Sequence, residues 1–263
     1  MPAGLITTFA WSALFVFIYM TAWFICSLVL KRNDVVDVAW GLGPAMLVWW
    51  LALQPYARHN PLIWPVGVLV TTWGVRLAYH IGHRNFAPGH GEDPRYAAWR
   101  AEWKHVALRS YLQIFLLQGF FMLFVSTPLV VLAASSSSRG VATVVAGALV
   151  WFVGFVIEST ADRQLATFLS EPQATPDGVM DRGLWSWSRH PNYFGESLIW
   201  WGLGIMVLSA ERGWVGLLGP ITITLLLLFV SIPLAELRHA EEPEWEAYKS
   251  RTSAFVPLPP KKQ

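Results

Sequence analysis

The sequence has one cysteine and few charged residues. Because Cys26 is the only cysteine in 263 residues, the chain can form neither an internal disulfide nor a cysteine-rich metal site. Charged residues make up 14% of the chain, whereas a soluble domain usually carries about 25%. The net charge of +2 comes with no basic stripe, so we expect no nucleic acid partner. These scarcities exclude a disulfide-rich fold and argue against a nucleic-acid-binding domain.

The sequence is rich in apolar residues, and these residues form long blocks. Hydrophobic residues make up 54% of the chain, and they come in runs long enough for helices that cross a bilayer, which need about 20 apolar residues each. We therefore predict one all-α domain over residues 1–263, a polytopic integral membrane protein with about seven transmembrane helices. The predicted spans cover residues 5–30, 35–54, 61–82, 111–134, 141–160, 193–210 and 214–235.

The positions of Lys and Arg predict the orientation. If the N-terminus lies outside, fifteen of the 19 basic residues fall in four inside segments, which cover residues 31–34, 83–110, 161–192 and 236–263. Loops on the cytoplasmic side of a membrane carry an excess of Lys and Arg. The pattern therefore predicts an outside N-terminus, a cytoplasmic C-terminus and a functional site open to the cytoplasm.

The stretch from Gly183 to Glu196 is the most informative motif. Arg189 and His190 can bind phosphate or carboxylate, and Asn192 offers both a donor and an acceptor. Glu196 lies four residues after Asn192, so both share one face of a helix. An interfacial aromatic belt would explain the tryptophans of this stretch. It does not explain Glu196, because ionisable groups inside a membrane span are costly and usually functional.

Asp37, at the start of the second predicted span, has two interpretations. A carboxylate in the first turn of a helix can simply stabilise the positive helix end. Alternatively, a desolvated Asp37 one turn inside the membrane could supply a proton to a carbonyl. The sequence leaves both interpretations open.

A basic stripe ends the third predicted span. Arg76, His80 and Arg84 recur every four residues and so lie on one helix face, which suits a polyanionic ligand. Tyr79 or His80 could serve as the proton donor in place of Asp37. The histidines nearby are spaced irregularly, and we predict no metal site.

The motif Ser188–Glu196, with the sequence SRHPNYFGE, resembles the C-terminal region of the steroid 5α-reductase family. It is more similar still to the bacterial membrane proteins of DUF1295 type that are grouped with that family. Sterol reductases share the motif in outline, and isoprenylcysteine carboxyl methyltransferases carry a related Arg-His-Pro-x-Tyr element. The resemblance is strong over residues 150–260, the reductase-like C-terminal region, and moderate over residues 30–110. It implies a bacterial-type inner (cytoplasmic) membrane location.

The resemblance implies a helical membrane enzyme that takes hydride from NADPH. In that family, residues matching Asn192, Glu196 and Asp162 help to hold the cofactor, and Glu158 here replaces an asparagine. No GxGxxG motif follows a strand, so a Rossmann domain is not available to bind the nucleotide. The residues assigned to cofactor binding are Arg76, Arg84, Arg95, Tyr96, Glu158, Asp162, Arg189, His190, Asn192, Tyr193, Glu196, Glu242 and Tyr248.

The expected function is NADPH-dependent reduction of an activated C=C bond, as in an enone. The substrate would be a lipophilic small molecule, such as a steroid, an isoprenoid or a fatty-acyl derivative, that arrives from the lipid bilayer. Asp37, Tyr79 and His80 are the candidate proton donors. The alternative is a membrane methyltransferase that uses S-adenosylmethionine, and a third class is a lipid-binding scaffold without catalysis. No obligate protein partner is indicated.

Overall fold

The computed structural model describes residues 4–57, 60–136, 140–170, 178–237 and 243–261. Within these ranges the regular elements are helical, apart from one isolated bridge between Ser188 and Ser253. The helices are α1 (Leu5–Leu30), α2 (Val35–Ala52), α3 (Ile63–Asn85), α4 (Pro94–Glu102), α5 (Val106–Val125), α6 (Thr127–Ala134), α7 (Val141–Ser170), α8 (Pro191–Met206), α9 (Gly213–Glu236) and α10 (Pro243–Arg251). Helices α5 and α9 contain π-helical turns at Ser110–Leu116 and Leu227–Ser231.

Five helices of the described chain, α1, α2, α5, α7 and α9, are long and apolar enough to cross a membrane. They correspond to five of the predicted spans, so the prediction of an all-helical membrane protein is confirmed. The blocks at residues 61–82 and 193–210 also form helices, α3 and α8. However, α8 has 16 residues and α3 carries the basic stripe, and neither is among the candidate spans.

The predicted span at residues 111–134 is divided into two helices. Helix α5 begins earlier, at Val106, and ends at Val125, and α6 starts at Thr127. Pro128 explains the break, because proline has no N–H and its ring collides with the carbonyl of the residue four positions earlier. The sequence contained this signal, but the apolar composition continues through the break and concealed it.

The chain divides into two compact units. The first contains Met1–Val141 and Val207–Leu218, and the second contains Ala142–Met206 and Gly219–Gln263. In the first unit, α2 and α3 approach closely where Gly41 meets Gly74. A Cβ atom on Gly41 would lie 2.7 Å from the Gly74 carbonyl oxygen, so the contact requires glycine at this position. The approach fixes the start of α2, and therefore Asp37, against the end of α3.

Candidate functional site

Asp37 lies in a cluster of polar side chains in the first unit. The Tyr96 hydroxyl donates a hydrogen bond to Asp37 Oδ1 at 2.7 Å, and Gln118 Nε2 donates to Tyr96 Oη at 3.3 Å. An Arg95 guanidinium nitrogen lies 3.6 Å from Asp37 Oδ2. We call Asp37, Arg95, Tyr96 and Gln118 the Asp37 cluster. It brings a candidate proton donor together with two residues that were assigned to the cofactor.

The start of α4 is attached to the start of α2, and this attachment places Tyr96 against Asp37. Asp93 caps α4 by accepting a hydrogen bond from the backbone N–H of Arg95 at 2.9 Å, and its own N–H donates to Asp34 Oδ2 at 3.1 Å. Arg32 holds Asp34 through two charged hydrogen bonds, at 2.6 and 2.5 Å. Asp34 therefore connects the turn before α2 to the start of α4. Its side chain makes no capping hydrogen bond to α2.

The partners of Asp37 bear on its two interpretations. Both of its carboxylate oxygens face side chains from α4, so Asp37 joins the start of α2 to α4 in addition to lying at the positive end of a helix. Burial raises the pKa of Tyr96, and the nearby negative charge of Asp37 raises it further. The Tyr96 hydroxyl consequently keeps its proton at neutral pH and acts as a hydrogen-bond donor.

The basic stripe of α3 is only partly enclosed. Arg76 and His80 are half-buried, and Arg84 is exposed, with its Nε donating to Asn85 Oδ1 at 3.2 Å. Tyr79 is 72% exposed and its ring lies 5.9 Å from that of His83. Tyr79 thus lies away from the buried face of α3, whereas Asp37 is hydrogen-bonded within the Asp37 cluster.

Helices α7 and α8 of the second unit cross with their backbones in contact. A Cβ atom on Gly195 would lie 2.6 Å from the backbone nitrogen of Glu158, and one on Gly154 would lie 2.6 Å from the Gly195 carbonyl oxygen. A second pair of glycines, Gly147 and Gly202, makes the same approach two turns away. The crossing requires small residues, as is usual where membrane helices pack closely.

The crossing brings together the motif residues of the two helices. Asn192 Nδ2 donates a hydrogen bond to Asp162 Oδ1 at 3.3 Å, a contact between residues 30 positions apart. Glu158, Asp162 and Glu196 are all buried. We call Glu158, Asp162, Asn192 and Glu196 the crossing cluster. The structure thus brings together two residues that the family resemblance assigns to the cofactor.

The amide of Asn192 is satisfied on one side only. Its Oδ1 atom is buried and has no hydrogen-bond partner within the described residues. Buried acceptors are nearly always paired, so such an atom calls for an explanation, such as a bound ligand. The orphaned oxygen gives the crossing cluster an acceptor that a ligand could use.

Arg189 and His190 contact groups of the protein itself. Arg189 Nε donates to Glu236 Oε1 at 2.8 Å, and another nitrogen of its guanidinium donates to the Thr252 carbonyl at 2.6 Å. His190 Nε2 lies 3.2 Å from the same Glu236 oxygen, and its ring stacks on Tyr193 at 5.3 Å. In this structure Arg189 therefore attaches the C-terminal segment to the start of α8.

Tyr248 has a similar attaching role. It is 2% exposed, and its hydroxyl donates to the Trp185 carbonyl at 2.5 Å. Burial raises the pKa of Tyr248, which keeps this donor protonated. Glu242, which was also assigned to the cofactor, lies outside the described residues.

The sequence did not single out Gln118 or Glu236. Both are polar residues within or at the end of an apolar block, and this position was the available signal. In the part of the chain that the structure describes, no group of three or more His, Cys, Asp or Glu side chains could hold a metal ion.

Comparison with known proteins identifies the family. The chain matches the family model "Protein of unknown function (DUF1295)" over residues 23–252. It is also similar to the "Uncharacterized protein C594.04c" of Schizosaccharomyces pombe. The two sequences are 24% identical over an alignment of 262 residues, and the alignment covers 86% of this chain and 73% of that protein. No solved structure matches the chain. The similarity to DUF1295 proteins is confirmed, whereas the relationship to steroid 5α-reductases stays a prediction. The match extends over most of the sequence, and the chain belongs to the DUF1295 family.

Proposed function

We propose that the protein is a membrane-embedded reductase that uses NADPH to reduce an activated C=C bond in a lipophilic substrate. The observation that carries the proposal is the pairing of Asn192 with Asp162, which leaves Asn192 Oδ1 buried and without a partner within the described residues. The resemblance to the 5α-reductase family assigns both residues to the cofactor, and the packing of α7 on α8 brings them together.

The crossing cluster fits a nucleotide cofactor chemically. Asn192 Oδ1 can accept a hydrogen bond from a carboxamide or amino group, and both of these groups occur in NADPH. Asp162, Glu158 and Glu196 are suited to accept hydrogen bonds from ribose hydroxyls. When it is bound, NADPH supplies the hydride, while the protein supplies orientation and a site shielded from water.

The Asp37 cluster is suited to hold a proton. Tyr96 keeps its hydroxyl proton and shares it with Asp37 Oδ1, while Arg95 lies beside the other carboxylate oxygen. A donor of this kind can polarise a carbonyl and deliver a proton as charge develops on its oxygen. We therefore assign the acid role to the pair of Tyr96 and Asp37, in which the Tyr96 hydroxyl carries the proton and the Asp37 carboxylate orients it.

The topology we propose has seven membrane helices, with α3 and α8 added to the five candidate spans, and a cytoplasmic C-terminus. The distribution of Lys and Arg along the sequence supports this orientation. A reporter enzyme fused after Gln263 tests it. A reporter that is active only on the cytoplasmic side agrees with the proposal, and activity only on the opposite side contradicts it.

The binding experiment uses purified protein in detergent. We expect NADPH to raise the melting temperature, NADH to do so at concentrations about ten- to a hundredfold higher, and S-adenosylmethionine to have no effect. Asn192→Ala should abolish the NADPH shift. Glu246→Gln, at an exposed position on α10, is the control and should leave it unchanged. A shift with S-adenosylmethionine alone would establish the methyltransferase alternative instead.

A further inference from the structure

Arg189 and His190 meet at one oxygen atom of the Glu236 carboxylate. Arg189 Nε lies 2.8 Å from Glu236 Oε1, and His190 Nε2 lies 3.2 Å from the same atom. Because an ionised carboxylate only accepts hydrogen bonds, both nitrogens act as donors to it. Two donors that converge on one anionic oxygen make an anion-binding site, which in this structure holds a carboxylate of the protein itself. We call Arg189 and His190 the anion pair.

The Arg189 side chain is held in place by contacts other than the one with Glu236. Its Nη1 atom donates to the Thr252 carbonyl at 2.6 Å and to the Lys249 carbonyl at 3.3 Å. The backbone N–H of Arg189 donates to the Ser253 carbonyl at 2.8 Å. These contacts keep the guanidinium in position when the Glu236 carboxylate moves away.

His190 is also fixed by groups other than Glu236. Its ring stacks on that of Tyr193, with the ring centroids 5.3 Å apart and an interplanar angle of 7°. Its backbone N–H donates to Ser188 Oγ at 3.1 Å. The side chains of Arg189 and His190 are only 10% and 9% exposed. The anion pair is therefore preorganised and partly shielded from water, and both properties strengthen the binding of an anion.

Glu236 lies where its side chain can turn away from the anion pair. It is the last residue of α9, and its side chain is 15% exposed, more than either residue of the pair. A glutamate side chain has several rotatable bonds, so it can rotate towards solvent without a movement of the helix. A soluble anion can then take the place of the carboxylate.

We propose that the anion pair binds a phosphate group of the ligand, and that Glu236 occupies this site when the ligand is absent. Arginine binds phosphate, like carboxylate, through short charge-assisted hydrogen bonds, so the two groups compete for the same donors. The inference rests on the proposed function for the source of the phosphate, which is NADPH. The contact of Glu236 with the anion pair then lowers the affinity for NADPH, and Glu236 acts as a built-in competitor.

The test uses the full-length protein in phosphatidylcholine nanodiscs at constant ionic strength. Inorganic pyrophosphate and, separately, NADPH are titrated by calorimetry, and the melting temperature is measured without ligand. Glu236→Gln removes the negative charge of the competitor. Glu236→Asp keeps the charge but shortens the side chain by one methylene group, so the carboxylate no longer reaches both donors. His190→Gln removes one donor of the anion pair, and Glu246→Gln removes a carboxylate from the exposed surface of α10 as the matched control.

We expect Glu236→Gln to bind pyrophosphate about tenfold more tightly than the wild type, because a neutral amide competes less well than a carboxylate. Glu236→Asp should bind it more tightly by a smaller factor. Both variants should melt at a lower temperature without ligand, since they lose charge-assisted hydrogen bonds. Tighter binding by a less stable protein separates competition from a purely structural role. His190→Gln should weaken pyrophosphate binding by about tenfold, and Glu246→Gln should leave it unchanged.

The proposal is wrong if none of the proteins binds pyrophosphate, if Glu236→Gln binds it no more tightly than the wild type, or if His190→Gln binds it equally well. It is also wrong if Glu236→Asp binds like the wild type, because the gain in Glu236→Gln would then come from the charge alone. In each case the reductase function still stands when NADPH raises the melting temperature and Asn192→Ala abolishes this shift. Conversely, tighter pyrophosphate binding by both Glu236 variants without any binding of NADPH would support the anion pair and contradict the proposed cofactor.

Discussion

The hydrogen bond between Tyr96 and Asp37 gives the most direct way to separate a structural from a chemical role of Asp37. Tyr96→Phe removes a donor from a carboxylate at 2.7 Å without changing the size of the buried ring. Hydrogen bonds to charged groups contribute about 1.5–3 kcal/mol, so we expect a loss of stability in this range. Asp37→Asn keeps the shape and removes the charge that faces Arg95.

The two changes should not be additive, because they weaken the same contact: Tyr96→Phe removes its donor and Asp37→Asn removes the charge of its acceptor. In a double-mutant cycle, measured by chemical unfolding in detergent, we expect a coupling free energy of about 0.5–3 kcal/mol. Additive losses, within about 0.3–0.5 kcal/mol, would show that the contact contributes nothing to the folded protein and would refute this part of the account.

Turnover then distinguishes the two roles. If Asp37 takes part in proton transfer with Tyr96, Asp37→Asn should leave NADPH affinity nearly unchanged and slow single-turnover reduction by about 10²–10⁴-fold, because a neutral amide cannot accept and return a proton as the carboxylate can. If Asp37 only stabilises the helix start, the variant should lose about 1 kcal/mol of stability and keep its turnover. In the second case the proton donor would have to be sought at Tyr79 or His80.

Three further predictions concern packing, binding and pH. Gly195→Ala should lower the free energy of unfolding by about 1–3 kcal/mol, because the new Cβ atom would lie 2.6 Å from the backbone nitrogen of Glu158. An unchanged free energy of unfolding would mean that α7 and α8 do not cross at this position. Glu196→Ala should weaken NADPH binding more than Glu196→Gln does, since the amide keeps part of the hydrogen bonding, and equal losses in titration would count against this role. Burial raises the pKa of the Glu92 carboxyl above its usual value of 4.5. The folded state therefore binds the Glu92 proton more tightly than the unfolded state does, and the free energy of unfolding falls as the pH rises from 4.5 through the raised pKa. Glu92→Gln should therefore reduce the loss of melting temperature between acid and neutral pH, and an unaltered pH dependence would show that Glu92 is not its source.

The sequence predicted the parts of the fold that depend on local composition. An apolar run of sufficient length must form a helix in a bilayer, because every backbone polar group has to be paired within the segment. For this reason α1, α2, α5, α7 and α9 could be found from their composition alone. Likewise, the spacing of four residues between Asn192 and Glu196 placed them on one face of α8.

Contacts between distant residues could not be predicted in this way. Tyr96 lies 59 positions after Asp37, and Glu236 lies 47 positions after Arg189. No periodicity relates such pairs, because the path of the chain between them decides whether they meet. Arg189 was recognised as a charged group suited to an anion, but its partner is a carboxylate at the end of another predicted span. Asp162 was identified only through the family resemblance.

Transfer of deuterium from the cofactor tests the central claim most directly. Purified protein in nanodiscs would be incubated with NADPH deuterated at the transferable C4 position and with a panel of lipophilic enones, and the products would be analysed by mass spectrometry. We predict a product that carries one deuterium at the β-carbon of the former enone, formed by the wild type and absent with Asn192→Ala. Failure to incorporate deuterium into any enone, together with methylation of a lipid when S-adenosylmethionine is supplied, would contradict the assignment as a reductase.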